Sequence, residues 1–116
     1  MLDFIKKIFG GQKDNFESLP SKEFDQALKQ ADKKMILDVR HKHEFDEEKL
    51  RNAVNLDVMM PNFKDKVQNL DPNKTYFVYC QSGRRSARAC RIMAEHGFEN
   101  LVNLKGGIVQ YEGKTV

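Results

Sequence analysis

Apolar residues in this chain fall into short blocks whose spacing alternates between a strand period and a helix period. "TYFVYC" (75–80) is β-branched or aromatic almost throughout and predicts the strongest strand, with Cys80 at its end. "KMILDV" (34–39) is a second compact apolar run, as a buried parallel strand would be. Phe16 to Leu19, "AVNL" (53–56) and "NLVNL" (100–104) predict three shorter strands. Helical spacing fills the gaps. "PSKEFDQALKQ" places Phe24, Ala27 and Leu28 on one face, with Ser21 as a candidate cap. "HKHEFDEEKL" predicts a short helix anchored by Phe45 and Leu50, and Pro61 to Leu70 a helix carrying Phe63, Val67 and Leu70. Ser86 to His96 is the strongest helix, closed by Gly97 at the C-terminal cap position. Strands alternating with helices at short spacing predict an α/β domain with a largely parallel sheet.

The N-terminus reads differently. Leu2, Ile5 and Phe9 share a helical stripe widened by Phe4 and Ile8, opposite Lys6 and Lys7, and Gly10-Gly11 stops it. Residues 1–15 are therefore expected to be an amphipathic segment that docks on the domain or frays, ahead of a domain over 16–116. A membrane-surface anchor is the competing reading, and one short helix with two lysines makes a poor anchor.

Length and composition narrow the function classes. A chain of 116 residues suggests one domain with a single core. Hydrophobic residues at 40% and charged residues at 32% describe a globular protein, not a disordered one. The net charge of +3 is spread among nearly as many acids as bases, so nucleic-acid binding is not expected. No apolar run approaches the ~18 residues of an integral membrane helix, and no secretory signal is apparent. The expected compartment is the cytoplasm, where thiols stay reduced, and the expected state a monomer or weak dimer.

Both cysteines lie in "YCQSGRRSARAC" (79–90). Ligands of open α/β sheets bind beyond the carboxyl ends of the strands. The short connection after Cys80 must curl back over the strand end. Gly83 permits the turn, Ser82 leaves space, and the amides of the loop point toward the sulfur as an anion-binding nest backed by a helix N-terminus. Those donors, with Arg84 and Arg85 nearby, favour thiolate over thiol. Ser86 is expected to cap the helix and to donate a hydrogen bond inward. Cys90 falls on the helix face turned toward the sheet and is expected to be core packing.

These residues resemble the active-site loop of rhodanese-type sulfurtransferases, in which a persulfide-carrying cysteine opens a six-residue loop. "ILDVRHKHEF" (36–45) is similar to the family's Asp-Val-Arg segment, "RNAVNL" (51–56) to its Gly-Ala-Ile-Asn segment, and "LKGGIVQY" (104–111) to its closing Leu-x-Gly-Gly motif. Glu48-Lys49-Leu50, Asn52 and Tyr111 depart from the usual Gly-His-Ile, Gly and Trp. Asn is the residue that best tolerates the left-handed geometry open to Gly.

The resemblance implies a rhodanese-like three-layer α/β/α domain around a mainly parallel five-stranded sheet. It implies a thiosulfate sulfurtransferase type of enzyme with Cys80 as nucleophile. Gln81, Ser82, Gly83, Arg84, Arg85 and Ser86 would hold a small anionic sulfur donor. The acceptor would be a thiol, a protein or cyanide, and no metal or organic cofactor is implied. Asp38 and Arg40, at the neighbouring strand end, would support the site by bracing the cradle or touching substrate, or as an internal ion pair, Arg40 with Glu44. His41 and His43 lack a third ligand and carry no metal expectation.

Two other readings stay open. Dual-specificity phosphatases share this fold and use a Cys-x5-Arg loop, but here Ser86 occupies the arginine slot and Arg85 stands one place early. Phosphatase or arsenate-reductase chemistry is thus the weaker alternative. A non-catalytic rhodanese-like binding module, or a persulfide carrier for a partner protein, is the other.

Overall fold

Thr75–Tyr79 is the axis of the molecule, all five residues buried, with neighbouring strands on both sides. The computed structural model describes residues 15–116. The N-terminal segment expected to be amphipathic lies, up to residue 14, outside the described residues. Five strands form one sheet: β1 (Glu17–Leu19), β2 (Lys34–Asp38), β3 (Ala53–Asn55), β4 (Thr75–Tyr79) and β5 (Leu101–Leu104). Their spatial order is β1-β5-β4-β2-β3, and every pair is parallel. The two edge strands have three residues each, which leaves little unpaired backbone to template another sheet.

Side chains of β4 alternate between the two faces, as strand geometry dictates. Phe77 and Tyr79 join Phe24, Val102 and Leu104 in one apolar cluster. Tyr76 and Val78, with Cys80 just beyond, join Leu37, Val39, Ala89, Cys90 and Met93 in the other. Helix α1 (Ser21–Gln30) covers the first face, with Phe24 edge-on to Phe77 at 5.4 Å between ring centroids. Helices α3 (Phe63–Val67) and α4 (Arg84–Glu95) cover the second, and α2 (Lys42–Glu47) follows β2 at the carboxyl end of the sheet. The three-layer α/β/α architecture is as expected.

Local boundaries differ for identifiable reasons. The chain before α1 enters through Pro20, and the Ser21 hydroxyl accepts a hydrogen bond from the Glu112 N–H at 2.8 Å instead of capping the helix. The helix expected over 61–70 covers Phe63–Val67 alone. Beyond it the chain tightens into i→i−3 bonds, Asn69 N–H to Lys66 and Leu70 N–H to Val67. Helix α4 begins at Arg84, two residues early, because Gly83 takes the N-cap position with φ 101°. Gly97 does terminate it, at φ 93°, and Asn52 adopts φ 68° where the family resemblance places glycine. A tail contact had no sequence signal. Lys49 and Val116 exchange backbone hydrogen bonds of 3.1 and 2.8 Å, beside a Leu50–Thr115 bridge.

Candidate active site

Cys80 leaves β4 where the sheet stops, and its side chain is fully buried. Three groups converge on its sulfur: the Gly83 N–H at 3.1 Å, the Ser86 N–H at 3.3 Å, and the Ser86 hydroxyl at 3.3 Å. The left-handed Gly83 reverses the chain so that these amides face back toward the strand end. Ser86 lies in the first turn of α4, where backbone N–H groups have no partner within the helix. Its hydroxyl turns inward to the sulfur, and it does not cap the helix, which corrects the capping half of the expectation.

The loop is held from behind. The N–H groups of Ile108 and Val109 donate to the carbonyls of Cys80 and Gln81, at 2.9 and 3.2 Å. This brings Gly107 against the loop backbone so closely that a Cβ there would overlap the Gln81 carbonyl. The Gly106-Gly107 pair after β5 is thus a seat for the cysteine loop, a role the sequence had not assigned.

Of the loop's two arginines, Arg85 lies close enough to Cys80 for the two to interact. Arg85 forms a two-pronged pair with Glu44, Nη1 to Oε1 at 2.8 Å and Nη2 to Oε2 at 3.0 Å. That guanidinium holds the Glu44 carboxyl far below its ordinary 4.5, at about 2, against partial burial and with help from the His41 backbone N–H. Arg84 is exposed, as are Gln81 and Ser82.

Asp38 and Arg40 come together beneath the loop. Register pairs Asp38 with Tyr79, directly before Cys80. The Asp38 carboxylate accepts from Arg40 Nη2 at 2.7 Å, from Nε at 3.0 and 3.1 Å, and from the Arg40 backbone N–H at 2.9 Å. Arg40 therefore pairs with Asp38 and not with Glu44, which belongs to Arg85. Its remaining donors reach the Glu48 carbonyl and, at 3.2 Å, the Gln81 side chain. Asn55 completes the brace by donating to the carbonyls of Asp38 and Arg40, at 3.0 and 2.9 Å. His41 bonds Asp57 at 2.7 Å and stacks on His43. Cys90 sits in the same apolar cluster as Cys80, on the sheet-facing side of α4.

A buried sulfur that accepts from two backbone N–H groups at a helix N-terminus, with a serine hydroxyl beside it, is placed to hold an anionic atom bonded to it. The comparisons with known proteins agree in kind. The rhodanese-like domain family model matches residues 21–114. The putative sulfurtransferase YtwF of Bacillus subtilis is 36% identical over 80 residues, which is 69% of this chain and 75% of that protein. The tRNA uridine(34) hydroxylase of Cytophaga hutchinsonii is 37% identical over 90 residues, but this chain spans only 28% of its length. Among solved structures, a rhodanese-related protein from Thermoplasma volcanium superposes with a TM-score of 0.74 at 26% identity, covering 86% of this chain and 97% of that one. On sequence and fold together, the chain belongs to the rhodanese-like domain family.

Proposed function

We propose that the protein is a sulfurtransferase that carries sulfane sulfur as a persulfide on Cys80. The observation that supports it best is the convergence of the Gly83 and Ser86 amides and the Ser86 hydroxyl on the buried Cys80 sulfur. In the first half-reaction the thiolate attacks the outer sulfur of a donor. With thiosulfate, Cys–S⁻ and S–SO₃²⁻ give Cys–S–S⁻ and SO₃²⁻, the electron pair of the broken S–S bond leaving on sulfite. In the second, an acceptor thiolate or cyanide attacks the terminal sulfur, and Cys80 departs as thiolate.

The residues divide the work between them. Gly83 and Ser86 donate to the sulfur that gains and loses charge, and their positions are fixed before substrate arrives. Gln81, Ser82 and Arg84 form the exposed rim that a donor or acceptor meets. Asp38 and Arg40 act as positioning residues that brace the loop through Gln81. The chemistry calls on no metal or organic cofactor. Against a phosphate-ester reading stands Arg85, whose guanidinium is already committed to Glu44.

The test is thiocyanate formation by the full chain above the protein-free background, given a hydropersulfide or thiosulfate as donor and cyanide as acceptor. Turnover that disappears in Cys80→Ser while the variant stays folded supports the reading. Turnover that survives the substitution contradicts it.

A further inference from the structure

We propose that Glu44 sets the donor preference of the Cys80 loop, disfavouring dianions such as thiosulfate and favouring hydropersulfides, R–S–SH. The inference rests on the sulfur-transfer reading and specifies its substrate class. Three guanidiniums lie at the loop, and two of them, those of Arg40 and Arg85, are matched by carboxylates. Arg40 is enclosed with Asp38, their side chains 3% and 0% exposed. Arg85 is gripped at both nitrogens by Glu44, in a pair still 25% and 20% exposed and so within reach of a solute. A sulfonate group seeking Arg85 must displace a charge-assisted, two-pronged partner already in place.

The surface beside the loop adds to this. A cleft of about 710 Å³ opens beside Gln81, and Glu44, Glu47 and Glu48 line it together with Arg40. Among the described residues, the loop cation left without an ion pair is Arg84, exposed at the rim. Carboxylates repel a dianion twice as strongly as a monoanion, and a neutral group hardly at all. A hydropersulfide presents a neutral outer sulfur when protonated, and when ionised it carries one negative charge where thiosulfate carries two. Its transfer balances as Cys–S⁻ + R–S–SH → Cys–S–SH + R–S⁻. The bond between the two donor sulfurs breaks, its electron pair leaves on R–S⁻, and the proton stays on the terminal sulfur until it equilibrates with solvent.

The test compares thiosulfate with 2-hydroxyethyl hydropersulfide as donors to the full chain, with persulfide on Cys80 read by intact mass over time. The wild type should favour the hydropersulfide in kcat/KM by about tenfold or more, and its thiosulfate rate should rise with added salt. Glu44→Gln, which keeps a hydrogen-bonding amide opposite Arg85, should raise the thiosulfate-to-hydropersulfide ratio about tenfold. If that variant does not fold, Glu47→Gln with Glu48→Gln, both on the exposed rim, should raise the same ratio about threefold. A wild type that uses thiosulfate as well as the hydropersulfide overturns the inference alone and leaves sulfur transfer standing. So does a ratio that neither set of substitutions raises. Persulfide from neither donor overturns both.

Discussion

Ser86 touches the sulfur of Cys80 twice, through its backbone N–H and through its hydroxyl, each at 3.3 Å. The two contacts separate cleanly by mutation. Ser86→Ala keeps the amide and loses the hydroxyl, so it should slow both persulfide formation and alkylation of Cys80 by about tenfold, the worth of one hydrogen bond to a charged group. Stability should change little, since the methyl fits a fully buried site. Rates equal to the wild type would show that the hydroxyl plays no part.

Gly107 and Gly97 form a matched pair of substitutions. Both have positive φ, 70° and 93°, but a Cβ on Gly97 meets open space while one on Gly107 runs into the Gln81 backbone. Gly97→Ala should cost about 1 kcal/mol, the strain of left-handed backbone alone. Gly107→Ala should cost about 3 kcal/mol or more and displace the cysteine loop, abolishing persulfide formation under conditions where Gly97→Ala retains it. Urea denaturation and persulfide formation measured on both variants check this. Equal costs would mean that Gly107 is not the seat of the loop.

The Glu44–Arg85 pair predicts a pH dependence of stability. The Glu44 carboxyl lies at about 2 when folded, chiefly through the Arg85 hydrogen bond, against its ordinary 4.5. Its contribution is therefore complete above about pH 4.5 and is lost as pH falls toward 2, because the unfolded chain takes up the proton first. The pair is partly solvated, which reduces the effect to about 1–2 kcal/mol. Urea midpoints between pH 6 and pH 3 should fall less steeply for Glu44→Gln than for the wild type. Parallel curves would contradict the assignment.

Much of this was legible in the chain itself. β4 announced itself as an unbroken apolar run because it is central and buried on both faces. Cys80 followed as the residue at the sheet's carboxyl end, and the loop amides followed from Gly83. Ser86 misled, since serine is a preferred N-cap type. The left-handed Gly83 had already taken that position, leaving the serine free to turn inward. The Arg40–Glu44 pairing misled because the two are near in sequence, but Arg40 precedes α2 and the real partner of Glu44 stands 41 residues away. Asp38 claims Arg40 from the buried side. Gly107 pressing on Gln81, and the tail pairing with Lys49, are long-range contacts that no local period records.

The central claim is that Cys80 stores sulfur, and intact mass tests it most directly. The reduced full chain, exposed briefly to 2-hydroxyethyl hydropersulfide and then freed of it, should gain one sulfur, about 32 Da. Cyanide should remove the gain, and Cys80→Ser should never acquire it. A gain that persists in Cys80→Ser, or no gain on reduced and alkylatable Cys80, would contradict the account.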